Sequence, residues 1–141
     1  MQPLNEKTLG RLVPSAARPD YDRKSVTRGI VHLGVGAFAR AHQAVYTDSI
    51  LRHDAAWGIT GVSLKSTRTS DALAGQGCLY TVVARGRDGD SARVIGSIGE
   101  ILVACQAPEA ALAALVDPMV RVVTLTITEK GYCHDPATGR L

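Results

Sequence analysis

The stretch that most restricts the fold lies at residues 29–39. Gly29-Ile30-Val31-His32-Leu33 is a short apolar run, and Gly34-Val35-Gly36-Ala37-Phe38-Ala39 follows it without a gap. The β-branched run predicts a buried strand. From residue 37 to about residue 51 the composition is that of a helix. A G-x-G-x-x-A turn between the two makes a separate demand at each fixed position. Gly34 turns the chain tightly, and Gly36 lets backbone approach a pyrophosphate with no Cβ in the way. Ala39 is small enough for helix and strand to pack closely. The free N–H groups and partial positive charge of the helix N-terminus favour an anion there. Arg40, in the first turn, offers a cationic contact. A tight turn that binds nothing would share some of these residues, so the flanking strand and helix carry the weight of the motif.

The rest of the chain alternates in the same manner. Residues 57–64 predict a second strand, followed by the polar turn Lys65-Ser66-Thr67-Arg68 and a short helix at 71–74 capped by Ser70. Residues 79–84 and 93–98 predict two strands around a turn at 86–90. Residues 100–106 fit a strand or a short helix. Pro108 opens a helix over 109–116, with Leu112, Leu115 and Val116 on one face, and Asp117-Pro118 stops it. The β-branched density of 120–127 suits a central parallel strand. In the first helix, Phe38, Ala41, Ala44, Val45 and Leu51 form the apolar face, with Arg40, Gln43 and Asp48 opposite. The pattern predicts an α/β fold: a Rossmann-like, doubly wound, mostly parallel sheet with an antiparallel insertion over 79–98. Residues 1–28, broken by Pro3, Pro14 and Pro19, form an N-terminal arm with a short helix over 4–12 capped by Asn5. Residues 29–141 form the dinucleotide-binding domain.

Composition narrows the function classes. The 141 residues are 45% hydrophobic and 21% charged, as in one globular domain, which argues against a disordered chain, a collagen or a coiled coil. The net charge of +3, evenly spread, does not suggest a nucleic-acid partner. The chain lacks an uninterrupted apolar run of about 18 residues, so no membrane span is expected. The first residues lack the apolar core of a secretory signal. Cys78, Cys105 and Cys133 are odd in number and widely spaced, with no C-x-x-C pair. Reduced thiols and a cytoplasmic location are the simplest expectation. Cys133-His134-Asp135 puts three metal-ligand types side by side, but adjacent residues seldom converge on one ion, and no metal is expected.

The second half of a dinucleotide signature is an acidic residue at the end of the second strand, for the ribose 2′-hydroxyl. It is missing from Val62-Ser63-Leu64-Lys65-Ser66-Thr67-Arg68, and Asp48 and Asp54 fall on the helix or before the strand. Lys65 and Arg68 would suit a 2′-phosphate, or be plain surface charges, so NAD and NADP both remain candidates. His32 reads as a buried, hydrogen-bonded histidine, His42 as facing phosphate or solvent, and Tyr46 as packing. Ser63 and Ser66 have no acid–base partner nearby that would make a hydrolase triad.

The sequence GIVHLGVGAFARAHQAVY at 29–46 resembles the N-terminal domain of the long-chain mannitol dehydrogenase family, which includes mannitol 2-dehydrogenase and fructuronate reductase. The resemblance continues through Pro19-Asp20-Tyr21-Asp22-Arg23, through residues 57–64, through Leu79-Tyr80-Thr81-Val82 and through residues 117–132. It implies hydride transfer between a nicotinamide cofactor, NAD or NADP, and a polyol, keto-sugar or sugar acid. It implies no metal, because a lysine in a helical C-terminal domain acts as base. By resemblance Gly34, Gly36, Phe38 and Arg40 line the pyrophosphate, with Thr128 and Glu129 near the nicotinamide; Ala37, within the turn, and Lys65, after the second strand, complete the expected cofactor contacts. Two departures stand out. Ala39 occupies a position where the family usually has histidine. The family's motif of lysine, asparagine five residues on and histidine three beyond is absent, since the only asparagine is Asn5. The helical substrate domain is therefore expected to be absent from this chain, which reads as a truncated N-terminal portion with no catalytic residue of its own. The alternative is a non-catalytic nucleotide-binding module or a gene remnant without activity.

Overall fold

The computed structural model describes residues 3–87, 89–127, 135 and 137–140. In chain order its elements are β1 (Ala16–Ala17), β2 (Arg28–Leu33), α1 (Ala37–Ala41), α2 (Gln43–Ile50), β3 (Gly58–Ser63), α3 (Arg68–Ala74), β4 (Tyr80–Gly86), β5 (Gly89–Ile95), β6 (Ile98–Val103), α4 (Pro108–Leu115) and β7 (Val122–Leu125).

Four strands form a parallel sheet in the order β6-β3-β2-β7. Successive residues of β2 point to opposite faces of it. Ile30 packs with Val35, Ala44, Ile59, Ile95 and Ile98 on one side. Val31 packs with Val62, Ala111 and Ala114 on the other. The sheet is thus covered by α2 and the hairpin on one face and by α4 on the other, which is the doubly wound arrangement. The insertion is the antiparallel β4–β5 hairpin, closed at Gly86 and Gly89. It forms a second sheet, joined in parallel by β1 from the N-terminal segment.

Several local expectations change. The predicted 37–51 helix breaks at His42, whose φ of −121° and ψ of −83° leave helical space. The Arg40 carbonyl, which an unbroken helix reserves for the Ala44 amide, accepts a hydrogen bond from the Tyr80 hydroxyl at 2.7 Å. A side chain entering the ladder in this way is a recognised cause of a helix break. The inward face is also different, because Ala39, Ala44, Thr47, Asp48 and Leu51 are buried while Phe38 is 67% exposed. Helix α3 starts at Arg68 rather than after Ser70, with Thr67 at its N-cap. Residues 98–103 are strand. From α4 the buried Ala111 and Ala114 face the sheet, with Leu115 partly buried against the same cluster, while Leu112 and Val116 face outward. Strand β7 is shorter than 120–127. Among the described residues it lies at the sheet edge, paired with β2 alone, and not in a central position. The segment predicted as a 4–12 helix is a short 3-10 turn at Leu9–Arg11. Asn5 does cap the preceding turn, its Oδ1 accepting from the Lys7 and Thr8 amides.

Candidate functional site

Chain order and sheet order together locate the site. From β2 the chain moves through β3 to β6 on one side, then returns to place β7 on the other. The crossover direction therefore reverses between β2 and β7. Ligands of open α/β sheets bind in the crevice that such a reversal leaves at the carboxyl ends of the strands. The glycine turn lies at that end of β2.

The turn is held by main-chain bonds. The Gly34 and Val35 amides donate to the Val62 carbonyl at 2.8 and 3.4 Å, and the Gly36 amide donates to the Gly34 carbonyl at 2.6 Å. Gly34 has φ +90°, a conformation that L side chains rarely adopt. Gly36 is different. Its φ is an ordinary −78°, and a Cβ built on it would meet only the Gly34 carbonyl oxygen, at 3.8 Å. Among the described residues no neighbour requires glycine there, so the missing side chain leaves a cradle open to an approaching ligand. Gly36, Ala37 and Phe38 are exposed at its mouth, while Ala39 is 4% exposed beneath it and packs the helix onto the core. The residues thus fit a pyrophosphate held on main-chain amides.

Beside the cradle is an open cleft of about 790 Å³, with Gly36, Ala37, Arg40, Arg68, Thr69 and Tyr80 among its walls. Arg40 does not reach freely over the turn. Its Nη1 donates to the Val35 carbonyl and to the Thr69 hydroxyl, both at 3.2 Å, bracing the turn against α3. Lys65 is exposed just past β3. Thr128 and Glu129 lie outside the described residues, as do Cys133 and His134. Gly34, Gly36, Ala37, Phe38 and Arg40 are brought together, and Lys65 is carried on the neighbouring strand end. Among the described residues no cluster of three metal-ligand side chains occurs, and no helix is long and apolar enough to cross a membrane.

His32 is 4% exposed between β2 and β7, its ring nitrogens 2.8 Å and 3.1 Å from the Thr124 and Thr126 hydroxyls. Gln43 Nε2 donates to the same Thr124 hydroxyl at 3.0 Å. Burial lowers the His32 pKa from its usual 6.5, so the ring stays neutral and joins the two strands beneath the crevice. His42 is exposed, stacked edge-on between Phe38 and Tyr46 with ring centroids 5.2 Å apart on each side.

Two features were not anticipated from sequence. Tyr80 reaches from the hairpin into the α1–α2 break. Asp48, assigned above to the polar face, is 1% exposed. Its carboxylate accepts hydrogen bonds from the Tyr21 hydroxyl at 2.5 Å, the Arg93 guanidinium at 2.7 Å and the Gly96 amide at 2.8 Å. A signal for it exists, since a carboxylate at 48 falls on the stripe 44, 47, 48, 51 that helical periodicity turns inward.

A parallel sheet with a glycine cradle at its reversal point defines a domain of the Rossmann class. The chain matches the mannitol dehydrogenase Rossmann domain model over residues 28–140 and belongs to that family. It is 40% identical to the polyol:NADP oxidoreductase of Gluconobacter oxydans, over 96% of this chain and 29% of that protein. It is 43% identical to the mannitol 2-dehydrogenase of Pyrenophora tritici-repentis, over 98% of this chain and 25% of the relative. The Pseudomonas fluorescens mannitol 2-dehydrogenase, solved as a ternary complex with NAD and D-mannitol, superposes with a TM-score of 0.87 at 43% identity, covering 97% of this chain and 29% of that one. A substrate-free D-sorbitol dehydrogenase gives 0.85 at 40% identity, covering 96% and 29%. The chain therefore spans between a quarter and a third of the length of these relatives.

Proposed function

We propose that this chain is the nicotinamide-dinucleotide-binding portion of an oxidoreductase acting on a polyol, keto-sugar or sugar acid, with NAD or NADP as cofactor. The observation that carries the reading is the Gly36 cradle at the carboxyl end of β2, beside the β2/β7 reversal point. Family membership and the activities for which the relatives are named support it. The domain runs from residue 29 to 141, with residues 1–28 as its arm.

The chain's own residues bind and orient. The amides at the start of α1 receive the diphosphate, and the bared Gly36 backbone permits close approach. Ala37 and Phe38 line the mouth of the cradle. Arg40 fixes the turn against α3 and adds positive charge close to the diphosphate. Lys65 is assigned to the adenosine end, and Thr128 and Glu129, next in sequence after residue 127, are assigned to the nicotinamide by the family resemblance. His32, neutral and bonded to Thr124 and Thr126, holds that strand end in register with β2. A bound nicotinamide supplies the hydride chemistry at its C4. The chain contributes no assigned catalytic base, and substrate contacts are assigned to a separate helical domain.

Calorimetry of the chain with NADH and NADPH tests the reading. Binding of either with one-to-one stoichiometry is expected, and absence of binding at millimolar cofactor overturns it. Polyol oxidation, assayed with and without a polypeptide carrying the helical domain, separates binding from turnover.

A further inference from the structure

The cleft beside the cradle is cationic. Arg40 and Arg68 are among its walls, the hydroxyl residues Thr69, Tyr80 and Thr81 share the lining, and no lining residue is a carboxylate. From Ser63 through Ser70 the sequence holds no acid at all, and Asp71, one turn beyond Arg68, is outside the lining. Five arginines away from the cleft, Arg23, Arg28, Arg52, Arg93 and Arg121, each lie against a carboxylate. Among the described residues, Lys65 and Arg68 form no such pair. Both are exposed.

Their placement is fixed. The Ser63 hydroxyl donates to the Ser66 carbonyl at 2.6 Å, closing the turn that carries Lys65 directly after β3. The Arg40–Thr69 bond ties the first turn of α3, and with it Arg68, to the glycine turn. In this fold class the end of the second parallel strand meets the adenosine ribose. A carboxylate there takes the 2′-hydroxyl, whereas an arginine nearby accommodates a 2′-phosphate. A phosphate ester carries up to two negative charges, and a guanidinium can meet it with two parallel hydrogen bonds.

We propose that Arg68 and Lys65 form a 2′-phosphate site at the adenosine end of the cleft, so that this chain binds NADP(H) at least as tightly as NAD(H). The assignment rests on the dinucleotide reading above. Calorimetry on the chain with NADP⁺, NAD⁺, 2′,5′-ADP and 5′-ADP tests it, alongside the Lys65→Ala/Arg68→Ala double variant and the single Arg68→Lys variant. The expected result is a Kd for NADP⁺ no higher than that for NAD⁺. The double variant should weaken NADP⁺ and 2′,5′-ADP at least about tenfold more than it weakens NAD⁺ and 5′-ADP, the loss of one charge-assisted contact. Arg68→Lys should recover part of the loss. Both side chains are exposed, and matching circular dichroism of variant and parent verifies an unchanged fold. Tighter binding of NAD⁺ than NADP⁺ by the parent, or an unchanged NADP⁺/NAD⁺ ratio in the double variant, overturns this proposal alone. Failure of both dinucleotides to bind overturns it together with the dinucleotide reading.

Discussion

The Tyr80 hydroxyl donates to the main-chain carbonyl of Arg40 across forty residues of sequence, at 2.7 Å. This one bond joins the inserted hairpin to the helix that opens at the glycine turn. Burial raises the Tyr80 pKa above its usual 10, so the phenol remains a donor throughout the physiological range. Tyr80→Phe keeps the ring and deletes the donor. A loss of about 1 kcal/mol is expected, read as a lower urea midpoint with an unchanged slope. An unaltered midpoint would show that the bond does not hold the α1–α2 break.

The two glycines of the turn should fail in different ways. Gly34→Ala forces a side chain into φ +90°, and a strained residue of that kind costs ~1–3 kcal/mol of stability. Gly36→Ala puts a methyl into open space, so stability should stay within about 0.5 kcal/mol. Dinucleotide affinity should nevertheless fall at least about tenfold, since the methyl fills the space the pyrophosphate needs. Retained affinity in Gly36→Ala would remove the cradle from the binding site.

Asp48 joins the N-terminal segment, α2 and β5 through Tyr21, Arg93 and Gly96. Asp48→Ala leaves the Gly96 amide and the Tyr21 hydroxyl without their acceptor, while Arg93, partly exposed and still bonded to Ser49, can be solvated, and a loss of about 2 kcal/mol is expected from the unsatisfied donors. Thermal melting reads it. The Tyr21 pKa is raised above 10, first by burial and then by the hydrogen bond to Asp48. An unfolded tyrosine ionises near 10 while the folded one resists. Stability is therefore fully present below pH 10 and declines as pH rises beyond it, and Tyr21→Phe should flatten that decline.

His32 gives the opposite sign at the acid end. Burial lowers its folded pKa below 6.5, so the unfolded chain takes up a proton that the folded chain refuses. Stability is full above pH 6.5 and falls as pH drops below it, until the folded pKa is reached. Urea midpoints at pH 7.5 and 5.5 measure the fall, and His32→Gln should reduce it. An identical pH slope in the variant would assign the acid sensitivity to other groups.

How much of this was legible in the sequence depends on the range of each interaction. The turn at Gly34–Gly36 and the strands on either side were readable because φ/ψ demands and β-branched runs are local. The hairpin was readable from its alternation and glycines. The break at His42 was not, because the side chain that enters the helix ladder there belongs to Tyr80, on the distant hairpin. Asp48 was placed on the wrong face because polarity was taken as a guide to exposure, and its three donors come from distant segments. Hydrophobicity assigns Leu112, Leu115 and Val116 to one inward face, yet Ala111 and Ala114 face the sheet with Leu115 partly buried beside them, and Leu112 and Val116 turn outward. In the site, the fixed backbone of the cradle followed from residue type, but Arg40's role as a brace depends on where Thr69 lands. Thr128 and Glu129 lie outside the described residues.

Strand β7 has a consequence for handling the molecule. Among the described residues one side of it bonds to β2 and no strand pairs with the other. Its sequence, Val122-Val123-Thr124-Leu125, carries no lysine or proline to discourage a newcomer. Such a border is a template for foreign strands. The purified chain should be prone to edge-on growth, and a single charge introduced at Val123 should suppress it.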